Sequence, residues 1–298
     1  MRRVLVTGSA GFIGFHLARL LLDESMVVHG YDGMTDYYEV ALKRKRHEIL
    51  AKHPGFTATE AMLEDATALD AVIDAFRPEV IVHLAAQAGV RYSLENPRAY
   101  LDANVVGTFN VMEAARRVGV DHLLMASTSS VYGANRTMPY AEHHGASHPL
   151  SLYAATKKAN ELMAHSYALV HGLHITGLRF FTVYGPWGRP DMAPTLFGRA
   201  ICEGKTLKLF NSGKNLRDFT YIDDIVDGVV KILLYPPTGI PGSRAPRIFN
   251  LGHHRPVETL LFVRMLEQLL GKTARIELLP PQPGDMFETC ADLTAVEA

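Results

Sequence analysis

The sequence predicts a doubly wound parallel α/β sheet carrying a smaller C-terminal α/β lobe. Three observations predict it. Short apolar runs alternate with helical patterns up to about Leu178, a G-x-x-G-x-x-G loop follows the first such run, and Pro and Gly punctuation sets in after Leu178. Continuous apolar strands separated by helices mark a parallel sheet covered on both faces, because each crossover lays a helix on one face.

The elements follow in order. Val4-Leu5-Val6 reads as a buried strand, and Phe12 to Leu22 carries apolar residues at helical spacing. Val27 to Tyr31 is a second strand, with Val80 to Leu84 and Leu123 to Ser127 as further ones. Thr67 to Phe76 and Pro97 to Val118 read as helices between them. Beyond Leu178, the segments 185–194, 236–246 and 280–284 are rich in Pro and Gly, with short strands and helices between. Phe249-Asn250-Leu251 is a candidate return to the sheet. The expected division is therefore 1–178, with returns near 215–252, and an interleaved lobe over 179–298. The 236–246 stretch reads as an exposed loop, and Asp223-Asp224 as a helix start, where negative charge suits the dipole. The basic run Lys43 to Arg46 reads as the solvated face of a helix rather than a phosphate contact.

Composition bounds the function. The 298 residues are 48% apolar and 20% charged, enough for a sizeable core and unlike a disordered or fibrous chain. Thirty basic against thirty-one acidic residues leave a formal charge of -1, so nothing argues for nucleic acid or an anionic membrane as partner. Arg2 and Arg3 before an apolar run imitate a secretory signal, but His16 and Arg19 interrupt it and no small-residue cleavage site follows. No uncharged apolar stretch reaches the ~18 residues of a membrane span. Two cysteines, Cys202 and Cys290, form no framework, which fits a reducing cytoplasmic setting. The doublets His143-His144 and His253-His254 lack metal-ligand spacing, so no metal is expected.

The loop Thr7-Gly8-Ser9-Ala10-Gly11-Phe12-Ile13-Gly14 lies between the first strand and the first helix. A pyrophosphate needs backbone N–H groups at a helix N-terminus and no side chain in the way. Gly8 supplies the tight turn, Gly11 the close approach and Gly14 the close packing of helix on strand. Asp32 closes the second strand, where a carboxylate accepts from the adenosine ribose hydroxyls; an acid there favours NAD over NADP, whose 2′-phosphate it would repel. The fold expected is thus Rossmann-like, with NAD as cofactor.

Tyr153-Ala154-Ala155-Thr156-Lys157 sets a Tyr and a Lys four residues apart, one turn apart on one helix face. Nearby cationic charge stabilises a phenolate, so Lys157 is expected to lower the pKa of Tyr153 and let it act as a base. Alone, the pair is a weak signal. Upstream, the hydroxyl run Ser127-Thr128-Ser129-Ser130 follows an apolar strand, at the sheet edge where such folds place ligands.

At this point the chain resembles the extended short-chain dehydrogenase/reductases that act on nucleotide sugars. The matching pieces are TGSAGFIG at 7–14, HLAAQAGVRYS at 83–93, NVVGTFNVMEAAR at 104–116, STSSVYG at 127–133, YAATKKANE at 153–161, LRFFTVYGPWGRPDMA at 178–193 and RDFTYIDDI at 217–225. They run in order over nearly the whole chain. Within that family the likeness is greatest to UDP-glucuronate 4-epimerases, chiefly through YDGMTDYY at 31–38 and GPWGRPDMA at 185–193. The resemblance implies Tyr153 as base, Lys157 as its partner and Thr128 as the hydroxyl on the reacting O4. It implies NAD contacts at Gly8, Gly11, Phe12, Ile13, Gly14, Asp32, Lys43, Asp65, Leu84, Ala85, Ala86 and Asn104. Substrate contacts are implied at Gln87, Arg91, Ser129, Ser130, Thr182, Thr195 and Arg189, with Arg217 and Asp285 on the uridine side. A homodimer is implied as well, through the helices after Asn104 and around Tyr153.

Relatives that eliminate water carry an acidic pair directly after the threonine, and decarboxylases a glutamate just before Val-Tyr-Gly; here Ser129 and Ser130 stand there, which cannot serve as carboxylates. The expected reaction is therefore inversion at C4 of a UDP-sugar, UDP-glucuronate to UDP-galacturonate, through a transient 4-keto sugar. The alternatives are a UDP-glucose or UDP-N-acetylglucosamine 4-epimerase, a UDP-glucuronate decarboxylase, or a non-catalytic NAD-binding module. For Arg189, pairing with Asp191 or packing on Trp187 competes with a substrate role. Family members continue past the P-G-D-x-x-x-T-x-A-D stretch with a further helix, whereas this sequence ends at Ala298.

Overall fold

The computed structural model describes residues 1–238, 246–281 and 286–298. In chain order the strands are β1 (Arg3–Thr7), β2 (Val27–Asp32), β3 (Phe56–Glu60), β4 (Val80–His83), β5 (His122–Thr128) and β6 (Ile175–Phe180). They continue as β7 (Thr182–Tyr184), β8 (Thr206–Leu209), β9 (Leu216–Tyr221), β10 (Arg247–Leu251), β11 (Pro256–Glu258) and β12 (Arg275–Leu278). The helices are α1 (Phe12–Asp23), α2 (Val40–Leu50), α3 (Ala66–Phe76), α4 (Tyr92–Glu95), α5 (Pro97–Tyr100) and α6 (Gly107–Val118). After them come α7 (Leu152–His171), α8 (Ala193–Glu203), α9 (Ile222–Leu234), α10 (Thr259–Leu270) and α11 (Thr294–Glu297).

The large sheet has seven strands in the order β10-β6-β5-β4-β1-β2-β3, each pair parallel. From β1 the chain winds outward through β2 and β3, then returns to β4 and winds the other way. That reversal parts the connections after β1 and β4 and opens a crevice at their carboxyl ends. Thr7 pairs with both Tyr31 and His83, so the three strands end level with one another beneath the crevice.

Period-two alternation feeds both faces of the sheet. Val4, Val6, Val80 and Val82 pack with α1 and α9 through Phe15, Leu21, Ile225 and Val229. Leu5 and Ile81 point the other way and pack with α3, α6 and α7 through Leu69, Ile73, Val111, Met112 and Ala168. These side chains are fully buried, and each Val, Leu, Ile, Phe or Met among them contributes about 1.5–3 kcal/mol relative to exposure.

The chain returns to this sheet through α9 and β10, with Asp223 and Asp224 in the first turn of α9. β9, in contrast, lies between β7 and β11 in a separate three-stranded sheet. Phe197, Ile201, Leu207, Leu209 and Val263 form the core of the smaller lobe, where α8 and α10 meet the β12-β8 pair.

The helix read over 97–118 is present and continuous, with a π-helical segment, Leu101–Val106, joining α5 to α6. Such a turn inserts a residue into the helical repeat and rotates the residues beyond it. One expectation needs correction. The basic run 43–46 is not a solvated face. Lys43 and Arg46, three apart and so on one side of α2, are buried, while Arg44 and Lys45 reach Glu60 and Glu48 in solvent.

Candidate functional site

β1 turns directly into α1. Gly8 there has φ +74, and a Cβ on it would lie 2.7 Å from the Ala85 nitrogen. The Gly11 N–H donates to the Gly8 carbonyl at 2.9 Å, and a Cβ on Gly14 would run into that same carbonyl. The loop therefore folds on itself only because these positions lack side chains. No side chain caps the start of α1, so its first N–H groups face the crevice unclaimed. A diphosphate fits that cradle by charge and by shape.

Asp32 stands at the crevice edge, nearly buried. Its carboxylate accepts from Ala10 N (3.0 Å) and Met34 N (2.9 Å), which fixes it while leaving lone pairs for two hydroxyls. Phe12, Ile13, Lys43, Leu84, Ala85 and Ala86 line the same end. Lys43 donates to the Thr35 carbonyl (2.6 Å) and hydroxyl (2.9 Å), and burial lowers its pKa. Met62 and Leu63 also line this end; nothing in their residue type signalled it beforehand.

Three sequence-predicted contacts stand outside the wall. The Asp65 carboxylate caps α3, accepting from Ala68 N at 3.0 Å, because an acid at a helix start serves its own backbone first. Asn104, turned inward by the π segment, is fully buried beneath Gln87. Its amide nitrogen donates to the Gln87 carbonyl (3.0 Å) and to Thr156 Oγ1 (3.1 Å), and its oxygen accepts from Gln87 N (2.7 Å). Thr195 sits in the first turn of α8, where Ala193, Leu196 and Phe197 form the wall instead. Asp285 lies outside the described residues.

The rest of the site gathers around the end of β5 and the start of α7. Ser151 caps α7 by accepting from Ala154 N (3.2 Å), placing Tyr153 in the first turn and Lys157 one turn on. Burial pushes the Tyr153 phenol up, while a hydrogen bond with Thr128 and the Arg189 charge draw it down. Lys157 is 2% exposed and donates to the Ala126 carbonyl of β5 at 2.9 Å. Burial lowers its pKa to about 8. The relief expected from Lys157 at the phenol thus comes from Thr128 and Arg189, while the ammonium donates to the strand carbonyl. Beneath it His83 bridges Thr7 (2.7 Å) and Thr108 (2.9 Å), held neutral by burial and the Lys157 charge with its pKa lowered to about 3.

Thr128 accepts from Ser130 N (3.2 Å) and donates to Ser130 Oγ (3.3 Å). Arg189 places Nε and one terminal nitrogen on Asp191 at 3.0 and 2.6 Å, so the competing pairing is realised. Its guanidinium also lies over the Tyr37 ring, 5.7 Å from the centroid, and the Tyr37 hydroxyl donates to Asp191 at 3.0 Å. Tyr37 was missed from sequence, although it lies within YDGMTDYY at 31–38, one of the segments that carried the resemblance. Gln87, Arg91, Ser129, Ser130, Thr182 and Arg217 share one cleft of about 840 Å³ with Tyr153, Lys157 and the glycine loop. Arg91 lies over the Phe210 ring, and Arg217 donates to the Leu216 and Phe287 carbonyls. Among the described residues no group of three or more His, Cys, Asp and Glu could hold a metal ion.

The sequence profile of the "NAD dependent epimerase/dehydratase family" matches residues 4–252. This chain belongs to that family. It is 51% identical, over 99% of its own length and 90% of the relative's, to a "Probable UDP-glucuronate 4-epimerase" of Rhizobium meliloti. It is 44% identical to "UDP-glucuronate 4-epimerase 6" of Arabidopsis thaliana, covering 98% of this chain and 65% of that one. The fold superposes on a UDP-glucuronic acid 4-epimerase from Bacillus cereus, solved with UDP-glucuronic acid and NAD, with a TM-score of 0.91. That pair shares 34% identity over 99% of this chain and 91% of the other. A Thermus thermophilus UDP-glucose 4-epimerase with NAD gives 0.87 at 28% identity, over 99% and 92%. The cofactor of the family is NAD, and the uncapped helix start, the glycine cradle and Asp32 fit it.

Proposed function

We propose that this chain inverts C4 of UDP-glucuronate to give UDP-galacturonate, holding NAD throughout and losing no carbon dioxide. The observation that carries this reading is a guanidinium, Arg189, in one cleft with Tyr153 and with hydroxyls rather than carboxylates at the two positions after Thr128. Relatives named for that reaction, 42 to 51% identical over nearly the whole chain, support it.

Thr128 holds the sugar O4, and Tyr153 takes its proton as C4 becomes a ketone. When bound, NAD supplies the acceptor for the two electrons leaving C4 and gives them back. The ketone turns over in the cleft, C4 is reduced from its other face, and Tyr153 returns the proton to O4. Atoms and electrons balance, with no net oxidation. Thr128 and the Arg189 charge favour the phenolate, while Lys157 lies one helical turn on with its ammonium held on the Ala126 carbonyl.

Oxidising a uronic acid at C4 makes a β-keto acid, which loses carbon dioxide when the carboxylate bond aligns with the ketone π system. Ser129, Ser130 and Thr182 hydroxyls and the planar fork of Arg189 hold the carboxylate out of that alignment. Proton NMR of UDP-glucuronate incubated with the protein and NAD tests the reading. Inversion at C4 is expected, whereas pentose as the main product, or turnover of UDP-glucose alone, would overturn it.

The same proposal includes a homodimer and a cytoplasmic setting. Leu101, Val106 and Phe109 around α6 and Leu162 and Val170 on α7 are exposed apolar side chains on the surface the resemblance assigns to a second copy. Cys202 and Cys290 are both free thiols, which suits a reducing compartment.

A further inference from the structure

Arg46 is fully buried, and among the described residues no carboxylate lies within ion-pair distance of it. Its Nε has no partner there either. One terminal nitrogen donates to the Ala10 carbonyl and the Tyr38 hydroxyl, both at 2.8 Å, and the other to the Trp187 carbonyl at 2.5 Å. A buried cation given only neutral acceptors is costly, and an apolar side chain of similar length would fold there more cheaply. What the guanidinium supplies is a rigid fork that reaches separate carbonyls at fixed angles.

Those carbonyls belong to the two halves of the site. Ala10 lies inside the glycine loop, its N–H already fixed on Asp32. Trp187 lies two residues before Arg189 and has φ +61, a left-handed conformation that costs a bulky residue free energy unless its surroundings impose it. A second tether sits beside the first: His16 of α1 is hydrogen-bonded to the Pro186 carbonyl at 2.8 Å, with Phe15 tilted against the Trp187 ring. The turn that aims Arg189 is thus tethered to the dinucleotide-binding elements.

We propose that Arg46 is a positioning residue: through Trp187 it holds the turn that carries Arg189, and through Ala10 it ties that turn to the glycine loop. The proposal rests on Arg189 being the ligand of the substrate carboxylate. An ammonium cannot span both carbonyls, so Arg46→Lys releases the turn.

The test measures dissociation constants for UDP-glucuronate on NAD-loaded protein, and for NAD alone, in Arg46→Lys with and without Arg189→Ala. Losing one charge-assisted bond to the turn is expected to weaken UDP-glucuronate binding about tenfold. In the Arg189→Ala background the same substitution is expected to do nothing further, because Arg46 acts through Arg189. NAD affinity is expected to move by no more than about threefold, since Ala10 stays fixed through Asp32. An equal loss with and without Arg189, or a loss confined to NAD, overturns the positioning role. Should Arg46→Lys not fold, His16→Phe carries the test, because it frees the Pro186 carbonyl of the same turn; unaltered or additive binding there overturns the proposal equally. Wild-type protein separates the two claims. If it fails to bind and invert UDP-glucuronate, the substrate reading falls; if it does both while the Arg46 effect is additive, only the positioning role falls.

Discussion

Lys157→Met is expected to inactivate the protein while leaving it at least as stable at neutral pH. Burial takes the Lys157 ammonium from an ordinary 10.5 to about 8. At ~1.4 kcal/mol for each tenfold change in proton affinity, keeping that charge in the fold costs about 3 kcal/mol. Against this, the hydrogen bond to Ala126 returns about 1.5–3 kcal/mol, so the net change near pH 7 lies between roughly zero and 1.5 kcal/mol in favour of methionine. The pH dependence isolates the electrostatic part. The folded pKa of this base is depressed, so between about 8 and 10.5 the unfolded chain binds a proton that the folded one does not, and stability rises with pH. The wild type should therefore gain about 3 kcal/mol on Lys157→Met across that window, and no gain below it. Urea denaturation of both proteins at matched pH values from 7 to 10.5 reads the difference, and groups common to both cancel. A flat difference curve, or a methionine variant destabilised by several kcal/mol at pH 7, would show that the ammonium is not held uncompensated in the fold.

Tyr153→Phe should lower the inversion rate by about 10²–10⁴ while NAD remains bound, as measured by NMR turnover and by cofactor released on denaturation; retention of wild-type turnover would remove the phenol from the chemistry. Arg189→Ala should weaken UDP-glucuronate binding by roughly 10–100-fold, release pentose as a side product and spare UDP-glucose binding. Normal UDP-glucuronate affinity in that variant would count heavily against the carboxylate role. Phe109→Asp combined with Leu162→Asp should turn a dimer into a monomer by light scattering, and an unaltered mass would move the interface elsewhere.

Much of this was legible because local pattern and global fold agree. Val4 and Val6 against Leu5 already announce a strand buried on both faces, and glycines at 8, 11 and 14 fall where strand meets helix. Tyr153 and Lys157 are paired by helical period alone. What the sequence hid depends on distant partners. Lys43 and Arg46 look like any basic surface run; what buries Arg46 includes a carbonyl 141 residues away. Asn104 belongs to a stretch with continuous helical patterning, and a π segment leaves no compositional trace, so its inward turn under Gln87 could not be read. Asp65 is ambiguous in the same way: a carboxylate before a helix suits both a ligand and a cap, and the structure shows it as the cap of α3. β7 and β11, three residues each, carry too little periodicity to declare themselves.

The distribution of parts over the fold explains why relatives acting on different sugars superpose so closely. Tyr153, Lys157 and Thr128 stand on α7 and at the end of β5, elements fixed by the buried faces of the large sheet; on the proposed mechanism any sugar oxidised at C4 needs them in the same place. The side chain that would tell a carboxylate from a hydroxymethyl group, Arg189, sits on a turn outside that sheet. It is aimed by Tyr37, by Asp191 and, through Trp187, by Arg46. Sugar preference can then change with a few residues on one turn while the chemistry stays put. It follows that fold similarity alone does not choose between UDP-glucuronate and UDP-glucose. The choice rests on Ser129, Ser130 and Arg189, and it is at those positions that the substrate reading stands or falls.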